Sequence, residues 1–304
     1  MRPELAKAIK LLQSNTPEET ESAIGLLQQT VYSFSMKVCG HREDAEDTMQ
    51  EVLYHSLRHL AKLQDPRALA VWLYTVTRNR CWRMRRKGAN TSRQVLSLDE
   101  LMPDENELAR LLSDGSRSPE SSVLSGERNE ELQKAILRIP PQLRIVLVLH
   151  DMEELDTEDV AKILGLQPGT VRVRLHRARL SVRKELSRTA ATSAKPGENP
   201  TAKRLSIKNR TVKRPAECRE LFAKLSEYLD GHMEQHRCDE MQKHIDACPS
   251  CVAFLSDLHS AIERCRSLQA DCNPVIVKRL AGLLTQEYLR LLSGSARKKS
   301  RARV

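Results

Sequence analysis

At 304 residues the chain has room for about two domains. It carries a net charge of +10 with aromatics at only 3%, and its isoelectric point is near 9.3. It shows no apolar run long enough to span a bilayer, and Arg2 and Glu4 interrupt any secretory-type start. These features exclude a membrane protein and point to a cytoplasmic chain with no membrane partner. A basic, aromatic-poor chain suggests helical modules that meet a polyanion. Eight cysteines in such a chain indicate thiols or a metal site rather than a disulfide scaffold.

Residues 1–30 read as helical on the spacing of Leu5, Ile9, Leu12, Ile24 and Leu27, with a helix start at Thr16-Pro17-Glu18-Glu19. The stretch 44–60, DAEDTMQEVLYHSLRHL, has two stripes. Ala45, Met49, Val52, Ser56, Leu57 and Leu60 form a buried one. Asp47, Gln50, Glu51, Tyr54 and Arg58 form a polar one, which on pattern alone is a solvated face. After the Asp65-Pro66 break a helix runs to about Lys87 on a core stripe of Leu69, Trp72, Leu73 and Val76. Its last ten residues, RNRCWRMRRK, hold six positive charges. A helix C-terminus accommodates some cations, and the excess points to phosphate contact by Arg78, Arg80, Arg83, Arg85 and Arg86.

Residues 89–126 change to Ser, Asp, Glu, Pro and Gly with excess negative charge. They read as an acidic flexible linker, with a short helix expected at Glu105–Leu112. Helices follow over Glu127–Ile139 and from Gln142 to His150, separated by Pro140-Pro141. The stretch Leu155–Leu186 is the most informative in the chain. Thr157 is expected to start and cap a short helix, with Glu158 and Asp159 favoured by the dipole in its first turn. Gly165 ends it and Pro168 opens the next helix. Two helices joined by a tight Gly turn form a helix-turn-helix, whose second helix can enter a DNA major groove. On that helix Val171, Leu175, Ala178 and Val182 repeat as a core face. Arg172, Val173, His176 and Arg177 fall on the outer face beside Thr170, and Arg174 and Arg179 flank the seam within reach of phosphates.

Residues 189–215 are basic, rich in Ala, Thr, Pro and Asn, and read as a second flexible linker. The segment 216–292 carries Cys218, His244, Cys248 and Cys251. His244 and Cys248 are four apart, and Cys248-Pro-Ser-Cys251 is a CxxC knuckle, so three ligands gathered at a helix end and one from an earlier helix could hold Zn²⁺. His232, His236 and Cys238 compete with Cys218 as the fourth ligand. Cys39, Cys81, Cys265 and Cys272 read as small buried residues. Helices are expected over Ala253–Leu268 and Pro274–Leu292, the latter with Val275, Ile276, Leu280, Leu283, Leu284 and Leu291 exposed unless packed. The tail 293–304 is basic. No nucleophile–base pair and no phosphate-cradling Gly loop is evident, so no catalytic residues and no enzyme are expected.

Residues of about 25–187 resemble bacterial sigma factors of the extracytoplasmic-function type. DAEDTMQEV (44–52) looks like the conserved helix of region two, and WLYTVTRNRCWRMRRK (72–87) like the promoter-melting helix after it. IPPQLRIVLVLHDMEELDTEDVAKILGLQPGTVRVRLHRAR (139–179) resembles the region-four helix-turn-helix nearly end to end. CRELFAKLSEYLDGHM…HIDACPSC, anchored by YLDG (228–231) and HxxxCxxC, resembles the zinc-finger domain of zinc-binding anti-sigma factors. The resemblance implies an all-α chain with a region-two module at 1–88, the acidic linker, a region-four module at 127–188, the basic linker and a zinc module at 216–292.

It also implies partners: core RNA polymerase, docked through Asp47, Gln50 and Glu51; promoter double-stranded DNA, read by the recognition helix; and the melted non-template strand, held near Leu63–Lys87. An Arg can bond two guanine acceptors, and Val173 can touch a thymine methyl. The zinc module is expected to contact the sigma modules intramolecularly and regulate them, to support folding only, or to recruit another protein. Two positions depart from the family pattern: Gln167 stands where a capping Ser is common, and Arg83 where Asp is common. The rival readings are a polymerase-independent helix-turn-helix regulator and a zinc-module adaptor.

Overall fold

The computed structural model describes residues 2–14, 16–60, 65–87, 96–102, 107, 125–193, 216–231, 233–268 and 270–301. Among them the secondary structure is entirely helical. The contacts divide the chain into two compact units that cut across the order of the sequence. One comprises Met1–Ser92, Val148–Val171 and Gln269–Val304; the other comprises Arg93–Leu147 and Arg172–Leu268.

The first unit opens with α1 (Pro3–Gln13), α2 (Pro17–Cys39), α3 (Arg42–Leu60) and α4 (Pro66–Lys87). Local chemistry sets the ends of α2. Pro17 sits at its first turn, and Thr16 caps it: its hydroxyl accepts from the Glu19 N–H at 3.4 Å and donates to the Glu19 carboxylate at 3.0 Å. Gly40, at φ 82°, closes the helix with its N–H on the Met36 carbonyl at 2.9 Å. The helix is buried on nearly every side, because α1, α3, α4 and the C-terminal helix α13 (Pro274–Arg301) all pack on it.

The expected core stripe of α3 is buried throughout, from Ala45 to Leu60. On α4, Leu69 and Leu73 are buried as expected, but Trp72 and Val76 are only half-buried. Tyr74, Thr77 and Cys81 take their place in the core. Trp72 stacks instead at the rim on His59, ring centroids 5.2 Å apart. α13 runs nine residues beyond the expected Leu292. It buries Ala281, Leu284, Thr285 and Tyr288 and leaves Val275 and Leu283 exposed. The turn before it is pinned to α2 by Gln29, whose amide donates to the Ala270 carbonyl and the Asp271 carboxylate and accepts from the Cys272 N–H at 3.2 Å.

A π-helical turn at Val148–Met152 and α8 (Thr157–Leu164) complete this unit. Asp156, not Thr157, caps α8: its carboxylate accepts from the Asp159 N–H at 2.8 Å, and Thr157 is the first residue inside. Gly165 ends the helix in the left-handed conformation, φ 66°, as expected.

The second unit contains α5 (Leu98–Leu101), α6 (Ser125–Arg138), α7 (Pro141–Leu147), most of α9 (Pro168–Ser193), α10 (Ala216–Leu229), α11 (Gln235–Ala247) and α12 (Pro249–Ser267). Its core joins Leu180 of α9 to Phe222 and Leu225 of α10, Met241 and Ile245 of α11, and Phe254, Leu258 and Ile262 of α12. Leu101 and Met102 belong to the same core. The expectation of a flexible acidic linker is therefore corrected over 96–102. Leu96, Leu98, Leu101 and Met102 give this short stretch an apolar side, and the unit offers a surface to bury it. The short helix expected at Glu105–Leu112 falls outside the described residues except for Glu107. Of the basic linker, α9 claims the residues up to Ser193, and 194–215 lie outside the described residues.

Candidate nucleic-acid and polymerase interfaces

The polar stripe of α3 lies open. Asp47, Gln50, Tyr54 and Arg58 are exposed and Glu51 is half-buried, in an ion pair with Arg80. Among the described residues, Asp47 and Gln50 take no part in the core of the first unit, whose contacts come from the opposite stripe.

The basic end of α4 divides into three kinds of position. Arg78 is half-buried. It donates to the Ile163 carbonyl at 2.6 Å, which satisfies the end of α8, and lies 5.0 Å from the Trp82 ring centroid. Burial pulls its guanidinium below the usual arginine range. Arg80 answers Glu51, and Arg83 is exposed. Arg85 and Arg86 sit in the last turn, with side chains outside those described. At the other end of α4, Arg67 bonds Asp159 and Asp156, so it neutralises the acidic cap of α8.

On α9 the four core positions are buried: Val171, Leu175, Ala178 and Val182. Thr170, Arg172 and Val173 are exposed, and Arg174 and Arg177 are half-buried. His176 and Arg179 differ from the sequence expectation, because α10 covers them. His176 is buried, with Nδ1 2.9 Å from the Ser226 hydroxyl. Burial, and then the positive Arg179 and Arg177, push its pKa down to about 4, so the ring is neutral near pH 7. Arg179 is buried against Asp230 of the YLDG stretch, Nη2–Oδ1 2.7 Å and Nη1–Oδ2 3.0 Å. Arg183, not singled out from the sequence, is buried between Asp257 and Glu107 and stacks 4.4 Å from the Phe254 ring centroid. A cleft remains beside these contacts, lined by Arg172, Val173 and Arg177 of α9 and by Glu227 and Asp230.

The metal-ligand candidates converge where α11 meets α12. His244 sits in the last turn of α11, Cys248 joins the two helices and Cys251 lies in the first turn of α12. Their ligand atoms all lie within 4.8 Å of one another, and Cys251 Sγ is 3.4 Å from His244 Nε2. An ion about 2.0–2.3 Å from each atom fits that spacing, and a His/Cys/Cys set suits Zn²⁺. Of the competitors for the fourth place, Cys238 is half-buried with its thiol on the Met233 carbonyl, and His236 is exposed. Cys218 lies on α10 with its side chain outside those described, and His232 is outside the described residues. Cys39, Cys81, Cys265 and Cys272 are buried, as expected.

Comparison with known proteins fits this geometry. Sigma-70 region 2 matches residues 24–91, Sigma-70 region 4 matches 129–182, and a zinc-finger family matches 218–251. The ECF RNA polymerase sigma factor SigW of Bacillus subtilis is 26% identical over 185 residues, 60% of this chain and 96% of that protein. The chain is a sigma factor of the extracytoplasmic-function type. The ECF sigma factor SigE of Mycolicibacterium smegmatis is 30% identical over 165 residues, 54% of this sigma factor and 60% of that protein. The sigma factor YlaC of Bacillus subtilis is 26% identical, covering 53% and 88%. Among the described residues, no helix of this sigma factor is long and apolar enough to cross a membrane.

Proposed function

We infer that this sigma factor joins core RNA polymerase through α3 and brings it to promoters through the helix-turn-helix of α8 and α9. The observation that carries the reading is the pairing of two features a simple repressor does not need. One is the open stripe of Asp47, Gln50 and Glu51 on α3, the docking surface; the other is the basic end of α4, which follows it in the same unit. Arg172 and Val173, exposed near the start of α9, are the base-reading positions, with Thr170, Arg174 and Arg177 toward phosphates. Arg83, Arg85 and Arg86 meet the opened strand, where a flipped base must be held against a cost of a few kcal/mol. Arg78 and Arg80 act by holding α4 in place. The chain supplies recognition, and the polymerase it joins supplies the chemistry.

The zinc module holds its ion through His244, Cys248 and Cys251, with Cys218 as the fourth ligand. When bound, the ion ties the end of α11 to the start of α12 and to α10, adding to the stability of that fold. Support for the ligand set comes from the three gathered donor atoms and the zinc-finger match that begins at residue 218.

Run-off transcription tests the reading. Core polymerase plus this chain is expected to initiate at a defined start site on genomic DNA fragments, and core polymerase alone is not. Failure of the chain to bind core polymerase overturns it in favour of a polymerase-independent regulator.

A further inference from the structure

Arg179 and Arg183 are four residues apart on α9, so both leave the same face about 6 Å apart along the axis. Each is only 1% exposed. Arg179 grips both oxygens of Asp230 in a fork-to-carboxylate pair. Arg183 donates to Asp257 at 2.7 Å and to Glu107 at 2.8 Å. Stability alone does not explain burying two guanidinium groups here, because an apolar pair of similar volume commonly does as well or better. What the arrangement does provide is a pair of planar cations, each presented with oxyanions in the geometry it uses for phosphate. The carboxylates come from three separate stretches: Asp230 follows α10, Asp257 lies on α12, and Glu107 follows α5.

We propose that Arg179 and Arg183 are one phosphate-binding pair of the recognition helix, and that Asp230 and Asp257 occupy it as phosphate surrogates. The zinc module and duplex DNA then compete for the same two guanidinium groups. The inference rests on α9 being the DNA-reading helix. It adds Arg183 to the DNA contacts, and it gives the tail a target on DNA binding rather than on polymerase docking. The α3 stripe takes no part in the competition, since Asp47 and Gln50 stay exposed while the arginines are covered. In this closed form the sigma factor holds polymerase but does not engage the upstream promoter element. Opening exchanges the carboxylates of Asp230, Asp257 and Glu107 for phosphates on cations already spaced along one helix face.

The test uses the full chain and a mixed-sequence DNA duplex followed by fluorescence anisotropy. The variant Asp230→Asn with Asp257→Asn is expected to bind the duplex on the order of tenfold more tightly than the unaltered chain. Its salt dependence should steepen by about 1.8 in log–log slope, the signature of two further phosphate contacts. Adding Arg179→Ala and Arg183→Ala should erase both changes. Equal affinity in the folded carboxamide variant, or a gain that survives loss of the arginines, overturns the proposal. Where the variant fails to fold, amide exchange on the unaltered chain decides. Saturating duplex should deprotect 222–230 and 249–262, and unchanged protection with DNA bound overturns the surrogate role. Capture of core polymerase is measured alongside. Its absence removes the sigma reading itself, whereas capture without the DNA effects removes only the competition.

Discussion

The Lys37 ammonium and a Glu153 carboxylate oxygen meet at 2.8 Å, and both side chains are 1% exposed. Tyr74 donates its hydroxyl to the other oxygen at 2.8 Å, and Arg2 approaches that oxygen at 3.4 Å. Burial, then the Glu153 charge, raise the Tyr74 pKa well above the usual range, so the phenol keeps its proton and remains a donor. α2, α4 and the residue that follows the π-helical turn thus share one buried charge cluster. Replacing Lys37 by Met leaves Glu153 without its main counter-charge. The expected loss is about 3 kcal/mol in chemical denaturation, the lower end for a broken buried pair because Arg2 remains. Lys37→Met with Glu153→Met together should cost less than the sum of the two single changes.

Asp47→Arg and Gln50→Ala change exposed positions that no core contact uses. Each should leave the unfolding free energy within about 0.5 kcal/mol of the parent chain. Capture of core polymerase, measured by pull-down at matched concentrations, should fall by about tenfold or more for Asp47→Arg. Tyr54, 61% exposed on the same face, should behave in the same way when changed to Ala.

His176 supplies a pH dependence whose sign follows from its neutral state. Its ordinary pKa is 6.5, and in the folded chain it is about 4. Above pH 6.5 the ring is neutral whether folded or unfolded, and its contribution is fully present. Below that the unfolded chain takes up the proton and the folded chain does not, so stability falls as pH drops from 6.5 toward 4. The loss amounts to roughly 2–3 kcal/mol for a shift of this size. Denaturation of His176→Gln across the same range should lack this component. A parallel slope in both proteins assigns the effect to the nearby carboxylates instead.

Metal removal should act on the second unit selectively. Treatment with a strong chelator, or His244→Ala, is expected to lower zinc content to below one ion per chain. It should also melt α10–α12, seen as lost ellipticity and early proteolysis within 216–268. Core polymerase capture should survive, because α3 belongs to the other unit.

Much of this was legible in the residues. The α3 stripes, the Gly165 turn, the Pro168 start and the HxxxCxxC cluster all follow from local periodicity and capping, which a short window of sequence contains. What escaped depends on partners far along the chain. Lys37 and Glu153 give no local signal of their pairing, since each finds the other 116 residues away. His176 and Arg179 sit on the polar face by helical count, and that face was assigned to DNA. It was Asp230 and Ser226, about fifty residues on, that claimed it. The spacing puts Trp72 on the core stripe, yet it packs at the rim on His59, while Tyr74 lies inside with its hydroxyl donating to Glu153. The acidic stretch near Leu101 looked like a spacer because its few apolar residues have no periodic run to reveal a packed side.

Cys248 caps the start of α12, and Asp257 lies nine residues later, a rise of about 13 Å along the same helix. The metal-ligand thiols and the carboxylate that meets Arg183 are thus carried at two points of a single helix, and a chain unfolded within 249–257 should lose both together.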